Sequence, residues 1–544
     1  MKHMFIIDHS ESEICKERCI AQLKRLFPDS EIKLVPWKKI LNPKEILNYL
    51  KTPWDLTVLC TYDSKKTRIL PWFLALSSLH FKSKTQLYSW KRDEWITSSR
   101  FTRLIKSITK ILSDIFHLSQ QIIKRLFLLQ SFKKRTLSTE SINSPFFKIL
   151  FLRADAYVGM KIGGSVGHLA GVINSMTKKG HQVDLFSSDC LEEVDYSKNI
   201  TLHESQVFPG WNIPLGGGSI STDEKVTKNA LQKFEIKKNA SLIYHRYHLG
   251  SLGAILLKKK FKIPLILEYN GSEAWIRMNW GTGKSIFDRL FVSLENTTLK
   301  HADVIVVVSD ILKDQLIERG FDSSKIISVP NGVDENKFDP TTLEKKSISL
   351  KKSLGLEGKK VIGFVGTFGQ WHGTTFYANV INQIVENSPD SIHFLMIGDG
   401  DLRLEFENTL TEKGRSFITL TGRLPQQSTP AYMNLCDAFV SPHIPNPDGT
   451  RFFGSPTKLF EYMALEKPIF ASNLEQLGEI IEDRKTGVLL EPNHIDEWVN
   501  EILNWLNHPN EYSLLGKQAR QVLTEKYTWM AHWNKIEEKI KERC

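Results

Sequence analysis

The stretch FGSPTKLFEYMALEKPIFAS, from Phe453 to Ser472, reads in turn as a tight loop, a short helix and a buried strand. Gly454, Ser455 and Pro456 make the loop. Ser455 suits the residue that caps a helix, and Pro456 the first helical position, where its missing N–H costs nothing. Leu459, Phe460, Met463 and Ala464 supply an apolar stripe at helical spacing, Lys467-Pro468 ends the helix, and Ile469 to Ser472 resumes as a strand. Thr457 and Lys458 fall in the first turn, with Glu461 on the same side as Lys458. A helix start offers unpaired N–H groups and partial positive charge, and an added ammonium suits a diphosphate. A carboxylate one turn further in can accept hydrogen bonds from ribose hydroxyls. The same spacing also describes an ordinary exposed Lys–Glu pair, so this stretch read alone leaves both readings open.

Working outward, strands and helices alternate from Val361 onward, and an earlier alternation opens with Ile149-Leu150-Phe151-Leu152 and runs to about Asp334. Apolar strands separated by helices predict parallel, doubly wound sheets. Residues 1–98 repeat the pattern on a smaller scale: strands at Met4–Asp8, Ile32–Val35, Leu56–Cys60 and Thr85–Tyr88, with a helix near Cys15–Phe27. The longest apolar run, Ile69 to Phe81, is too short and too polar to span a bilayer.

The Phe453–Ser472 stretch resembles the donor-site motif of family 4 glycosyltransferases, a glycine loop leading into a helix of the EAMA or FEYMA type. Further landmarks resemble that family in the same order: Ala302-Asp303-Val304 through Ser309, the Val329-Pro330-Asn331-Gly332-Val333-Asp334 element, Gly363 to Thr367, Ile397 to Gly400, Gly422-Arg423-Leu424 and Gly487 to Pro492. Any one would be weak; their order is specific. The resemblance covers about Phe147 to the C-terminus. It implies the GT-B architecture, two Rossmann-like domains facing a cleft, here with an N-terminal α/β extension. The expected division is a small α/β unit over 1–98, a basic amphipathic helix and connector over 99–146, an acceptor-side domain over 147–336, a nucleotide-sugar domain over 337–526, and a last helix over 527–544 crossing back to the first GT-B domain.

Site residues follow from position and resemblance together. Gly163 and Gly164 stand between the first strand and a helix, where glycines serve either as a turn or as a close approach to phosphate or acceptor. His245, Arg246 and His248 end a predicted strand at the crevice, where α/β sheets put their chemistry; the histidines exchange protons near neutral pH and Arg246 can neutralise a departing diphosphate. Asn270 and Glu273 follow the next strand end and are expected on the acceptor side; Glu268 beside them either joins them or pairs with a nearby base. Gly366, Thr367 and His372, with Gly454, Ser455, Pro456, Thr457, Lys458 and Glu461, form the expected donor site.

The chain departs from the family pattern twice. Family members often carry an Arg and a Lys gripping the diphosphate after the first strand of the second domain; here Thr367 and His372 stand in those places. Many also have two glutamates with seven residues between them, the first touching the donor sugar; counting back from Glu461 gives Phe453.

Hydrophobic content of 41% and aromatic content of 10% exclude a disordered chain. The cysteines show no paired metal spacing, which predicts reduced thiols. No signal-peptide core opens the chain, so a cytoplasmic location is expected. The net charge of +11 is local: between Arg100 and Arg135 there are nine Lys or Arg and one acid, Asp114, interleaved with Phe, Ile and Leu at helical spacing. Such a helix over 99–137 either lies on an anionic membrane surface or packs on the protein with its bases toward water. No nucleic-acid module is recognisable. The expected reaction is transfer of a sugar from a nucleoside-diphosphate sugar to a hydroxyl of a saccharide or lipid-linked acceptor in cell-surface polysaccharide synthesis. The resemblance adds retention of configuration, and no metal or other cofactor is expected. The alternatives are a nucleotide-sugar epimerase and a catalytically weak scaffold.

Overall fold

The computed structural model describes residues 3–8, 20–21, 23–25, 28–36, 43–52, 54–61, 70–79, 84–89, 94–97, 99–133, 137–142, 144–154, 163–191, 193–205, 217–237, 240–280, 284–387 and 391–544. Three sheets follow one another along the chain. The first contains β1 (His3–Asp8), β2 (Glu31–Pro36), β3 (Leu56–Thr61), β4 (Lys84–Ser89) and β5 (Glu94–Thr97) in the order β2-β1-β3-β4-β5, parallel except for β5. The expected helix near Cys15–Phe27 lies largely outside the described residues.

The second sheet holds β6 (Lys148–Arg153), β7 (Gln182–Ser187), β8 (Ile200–Glu204), β9 (Leu242–Arg246), β10 (Leu265–Tyr269), β11 (Val304–Val307) and β12 (Ile326–Ser328). Their order is β12-β11-β10-β9-β6-β7-β8, all parallel. The third holds β13 (Lys360–Val365), β14 (Ile392–Ile397), β15 (Ile418–Gly422), β16 (Ala438–Ser441), β17 (Ile469–Ser472) and β18 (Val488–Leu490) in the parallel order β15-β14-β13-β16-β17-β18. Both are open parallel sheets with helices on both faces, which is why their strands read as continuous apolar runs. Strand order reverses beside β6 and beside β13, and the loops leaving these two strands mark the crevices of each lobe.

The lobes touch along the ends of these strands. The Gly163 N–H donates to Gln426 Oε1 at 3.1 Å, Ser309 Oγ donates to the Phe453 carbonyl at 2.9 Å, and the Asn331 N–H donates to Ser455 Oγ at 3.0 Å. The final helix, Trp529–Arg543, leaves the second lobe and buries Trp529, Trp533, Ile536 and Ile540 in the core of the first, against Leu169 and Ile173. The two chain crossings run side by side, tied by the Val333 N–H to the Tyr527 carbonyl at 3.0 Å and the Trp529 N–H to the Val333 carbonyl at 3.2 Å.

The long helix Arg100–Lys133 lies on the first lobe, with Leu118, Leu129 and Phe132 in the core formed with Leu150, Ile243 and Ile255. It partitions its side chains against expectation. Polar Arg103, Ser107, Asp114, Gln121 and Arg125 are buried, while Phe101, Leu112, Phe116 and Phe127 face out. Arg125 explains the inversion: its guanidinium meets Asp223 at 2.8 Å and donates to the Ile220 and Gly250 carbonyls, each at 3.2 Å. Among the described residues no helix is long and apolar enough to cross a membrane.

Candidate active site between the lobes

Lys458 lies in the first turn of the helix Thr457–Ala464 and is 5% exposed. Its ammonium sits 4.3 Å from the centre of the Phe364 ring and has no hydrogen-bond partner among the described residues. A cation withdrawn from water is normally paired, because leaving it alone costs several kcal/mol. Burial accordingly pushes its pKa well below the ordinary lysine value, with Glu461 opposing the shift. Gly366, just past β13, makes the room: a Cβ there would sit 3.3 Å from Lys458 Nζ and from His372 Cε1.

His372 is buried, and its Nδ1–H donates to the Thr367 carbonyl. Burial, then Lys458 and His443, push its pKa well below the histidine range, so the ring is neutral. The expectation that His372 shares the diphosphate charge therefore gives way to a neutral wall beside Lys458. Gly373, at φ +60°, closes the turn; a Cβ there would meet the Pro442 carbonyl oxygen at 1.8 Å. Thr367 itself is exposed at the rim.

The helix begins one residue later than expected. Pro456 is its capping residue and offers no side-chain cap, so the first N–H groups of the turn stay available. Ser455 is used elsewhere: its Oγ accepts from the Asn331 N–H, and its carbonyl accepts from Asn331 Nδ2 at 2.6 Å. Gly454 and Pro456, either side of it, are half-buried. Facing this helix start is another, that of Gly164–Lys178. A Cβ on Gly164 would lie 2.4 Å from Thr457 Oγ1, so a side chain there would displace the Thr457 hydroxyl from between the two starts.

Glu461 is half-buried one turn behind Lys458. Burial pushes its pKa up to about 7, opposed by Lys337 and reinforced by Glu193. Glu193 and Lys337 themselves pair where the first lobe meets the connector.

From the first lobe, Arg246 at the end of β9 donates to Ser165 Oγ at 3.1 Å and lies 3.5 Å from Glu268. Glu268 is buried among His168 at 2.8 Å, the Tyr244 hydroxyl at 2.9 Å and Asn270 Nδ2 at 2.8 Å. His168 Nδ1 bonds Asn331 Oδ1 at 2.6 Å, so the chain Arg246, Glu268, His168, Asn331, Ser455 joins the two lobes. Asn270 keeps a buried, unpartnered Oδ1, and Glu273 opens the short helix Glu273–Asn279 beside it. Glu268 thus belongs to the structural network, pairing with its neighbouring bases.

His245, expected at the cleft from its strand-end position, lies inside the first lobe. It bonds Ser251 Oγ at 2.9 Å and reaches the Leu152 carbonyl at 3.4 Å. Burial, with His248 adding and Asp223 opposing, lowers its pKa to about 3, which removes it from proton transfer near neutrality. Phe453, standing where the family pattern has its first glutamate, is 4% exposed and stacks on Trp280 at 5.3 Å; Trp280 also meets Trp371 at 4.7 Å across the lobes.

Sequence reasoning missed His168, Asn331, Glu193, Lys337 and this aromatic set. His168, one turn after the Gly163-Gly164 pair, carried a local signal; the others are assembled only by the meeting of the lobes. A hollow of about 440 Å³ lined by Phe146, Lys148, Gln182 and Asn199 opens at the amino ends of β6 and β7, the edge of the sheet opposite this junction.

Two parallel α/β lobes meeting at the carboxyl ends of their strands, with a helix start from each turned to the other, define the GT-B class of sugar-transferring enzymes. The comparisons agree. Residues 162–337 match Glycosyltransferase Family 4 and residues 359–508 match Glycosyl transferases group 1. The chain belongs to the family 4 glycosyltransferases and is a glycosyltransferase. It is 29% identical over 371 residues to an uncharacterized glycosyltransferase of Methanocaldococcus jannaschii, covering 68% of this chain and 91% of that one. It is 26% identical over 224 residues to the Escherichia coli UDP-Gal:alpha-D-GlcNAc-diphosphoundecaprenol alpha-1,3-galactosyltransferase, covering 40% and 54%. Among solved structures, Anabaena HepE in complex with UDP and glucose superposes with a TM-score of 0.55 at 18% identity, covering 72% of this chain and 99% of that one. Sucrose-phosphate synthase from Thermosynechococcus elongatus gives 0.58 at 19%, covering 73% and 98%.

Proposed function

We propose that the protein transfers a sugar from a nucleoside-diphosphate sugar to a hydroxyl of a saccharide or lipid-linked saccharide, with retention of configuration, in the cytoplasm and in the service of cell-surface polysaccharide synthesis. The observation that carries the reading is the buried, unpartnered ammonium of Lys458 at an uncapped helix start between the lobes. A diphosphate there receives the N–H groups of the first turn and favours the charged form of Lys458 that burial disfavours. Glu461, one turn on, accepts from the ribose, and Arg246 stands at the opposite helix start to meet the departing charge. The demand is electrostatic: negative charge grows on the diphosphate as the sugar leaves, and fixed donors in a site closed to water stabilise it without reorganising. Asn270 and Glu273 hold the acceptor hydroxyl on the first lobe. The E. coli relative, whose name gives a UDP-sugar donor and a diphosphoundecaprenol-linked acceptor, supports the lipid-linked choice.

The test is donor-dependent release of nucleoside diphosphate by the purified full chain. Lys458→Ala is expected to lower kcat/KM by about 10²–10³-fold, the scale of losing one preorganised donor, and Glu461→Ala mainly to raise the donor KM. Turnover unchanged in both variants overturns the site. Side chains and backbone carry the reaction as proposed, so a chelator is expected to leave the rate unchanged.

A further inference from the structure

The helix Arg100–Lys133 shows water a face that an isolated soluble helix would hide. Phe101, Ile108, Leu112, Phe116, Ile123 and Phe127 are each between 44% and 74% exposed. At 100° per residue they fall within one broad stripe, roughly opposite the seam of Leu118, Arg125 and Phe132 that faces the first lobe. From Phe101 to Phe127 the stripe is about 40 Å long at 1.5 Å per residue. Lys106, Lys110, Lys124 and Lys133 are exposed on the same helix, while its one carboxylate, Asp114, is buried. An apolar stripe of this length is far outside what scattered surface residues explain.

We infer that this face docks on an anionic lipid bilayer, the stripe entering the headgroup–acyl boundary. Charge complementarity selects that occupant, since exposed Lys106 and Lys133 flank the stripe and the helix exposes no carboxylate. The structure also sets the balance of forces. Lys110 is paired with Asp114 at 3.0 Å and Lys124 with Glu224 at 2.8 Å, and Arg103 and Arg125 point into the protein. Four of the seven bases on the helix are therefore spent internally, and apolar insertion outweighs electrostatic attraction. The buried pair Arg125–Asp223 fixes the helix to the lobe that carries Asn270 and Glu273. Resting here on the proposed transferase reading, docking brings the acceptor side to the surface where a lipid-linked saccharide would lie.

Sedimentation with phosphatidylglycerol–phosphatidylcholine vesicles, without donor, tests docking independently of turnover. The full chain is expected to bind. The exposed variant Phe101→Ser/Phe116→Ser/Phe127→Ser should bind about tenfold or more weakly while releasing nucleoside diphosphate in solution at the parent rate. Lys106→Gln/Lys133→Gln, or high salt, should weaken binding only about two- to tenfold. Equal sedimentation by parent and triple-serine protein overturns the inference. So does a parent that is dimeric by analytical ultracentrifugation and made monomeric by the serines, since the stripe would then be an interface between copies. Loss of turnover in Lys458→Ala with vesicle binding intact separates the two readings.

Discussion

Glu461 carries the pH dependence of the site. Its pKa in the folded chain, about 7, stands above the ordinary 4.5, so between those values the folded state holds a proton that the unfolded chain has released. Its contribution to stability is complete below the unfolded value and is lost as the pH rises through the folded one. The stability of the parent relative to Glu461→Gln is therefore expected to fall, on the order of 1–3 kcal/mol, between about pH 5 and pH 8. Thermal melts of both proteins at each pH check it; parallel curves refute it. In the proposed reaction the ionised form accepts from ribose hydroxyls, so the donor KM of the parent should fall over the same interval and that of Glu461→Gln should not. Lys458 and Glu461 were legible in the sequence because both lie on one short helix. His245 was misplaced because strand-end position says nothing about which way a side chain turns, and it turned toward Ser251 and the core.

At the scale of the element, the joint between the helix Arg100–Lys133 and the first lobe rests on Asp223. This carboxylate accepts from Arg125 at 2.8 Å, Ser251 Oγ at 2.9 Å, the Leu252 N–H at 3.1 Å and the Gly253 N–H at 3.3 Å. Asp223→Ala leaves a buried guanidinium without its counterion and takes the acceptor from two backbone N–H groups, a loss of about 3–5 kcal/mol. Arg125→Met leaves Asp223 with its remaining donors, so it should cost less. Denaturant unfolding of both variants measures the difference, and equal losses would contradict this account of the joint. The helix itself was evident from spacing; its orientation was not. Sixteen apolar residues and seven bases fit more than one face, and only the position of Asp223, almost a hundred residues away, selects the one that buries Arg125.

Across the whole molecule, the proposed donor site links nucleotide binding to stability through the junction of the lobes. A nucleoside diphosphate at 100 times its dissociation constant stabilises the folded chain by about 2.7 kcal/mol. A melting shift of a few degrees is expected with the matching nucleotide from a panel of UDP, GDP, ADP and CDP. Lys458→Met should abolish that shift, and raise the melting temperature without ligand because it removes a buried amino group that has no hydrogen-bond partner among the described residues, worth about 1–3 kcal/mol. A shift that survives the substitution would place the diphosphate elsewhere. The sequence by itself determined the two alternating α/β lobes, the glycine loops at their strand ends and the helix that carries Lys458 and Glu461. These are local properties, written in apolar periodicity and in residues that tolerate few conformations. Tertiary structure alone decided that Ser455 holds Asn331, that His168 and Glu268 tie Arg246 to the second lobe, and that Trp280 packs on Phe453 and Trp371. Those partners are remote in the chain, and no spacing rule links them; which groups meet, and which lose their water and shift their protonation, depends on how the two lobes close.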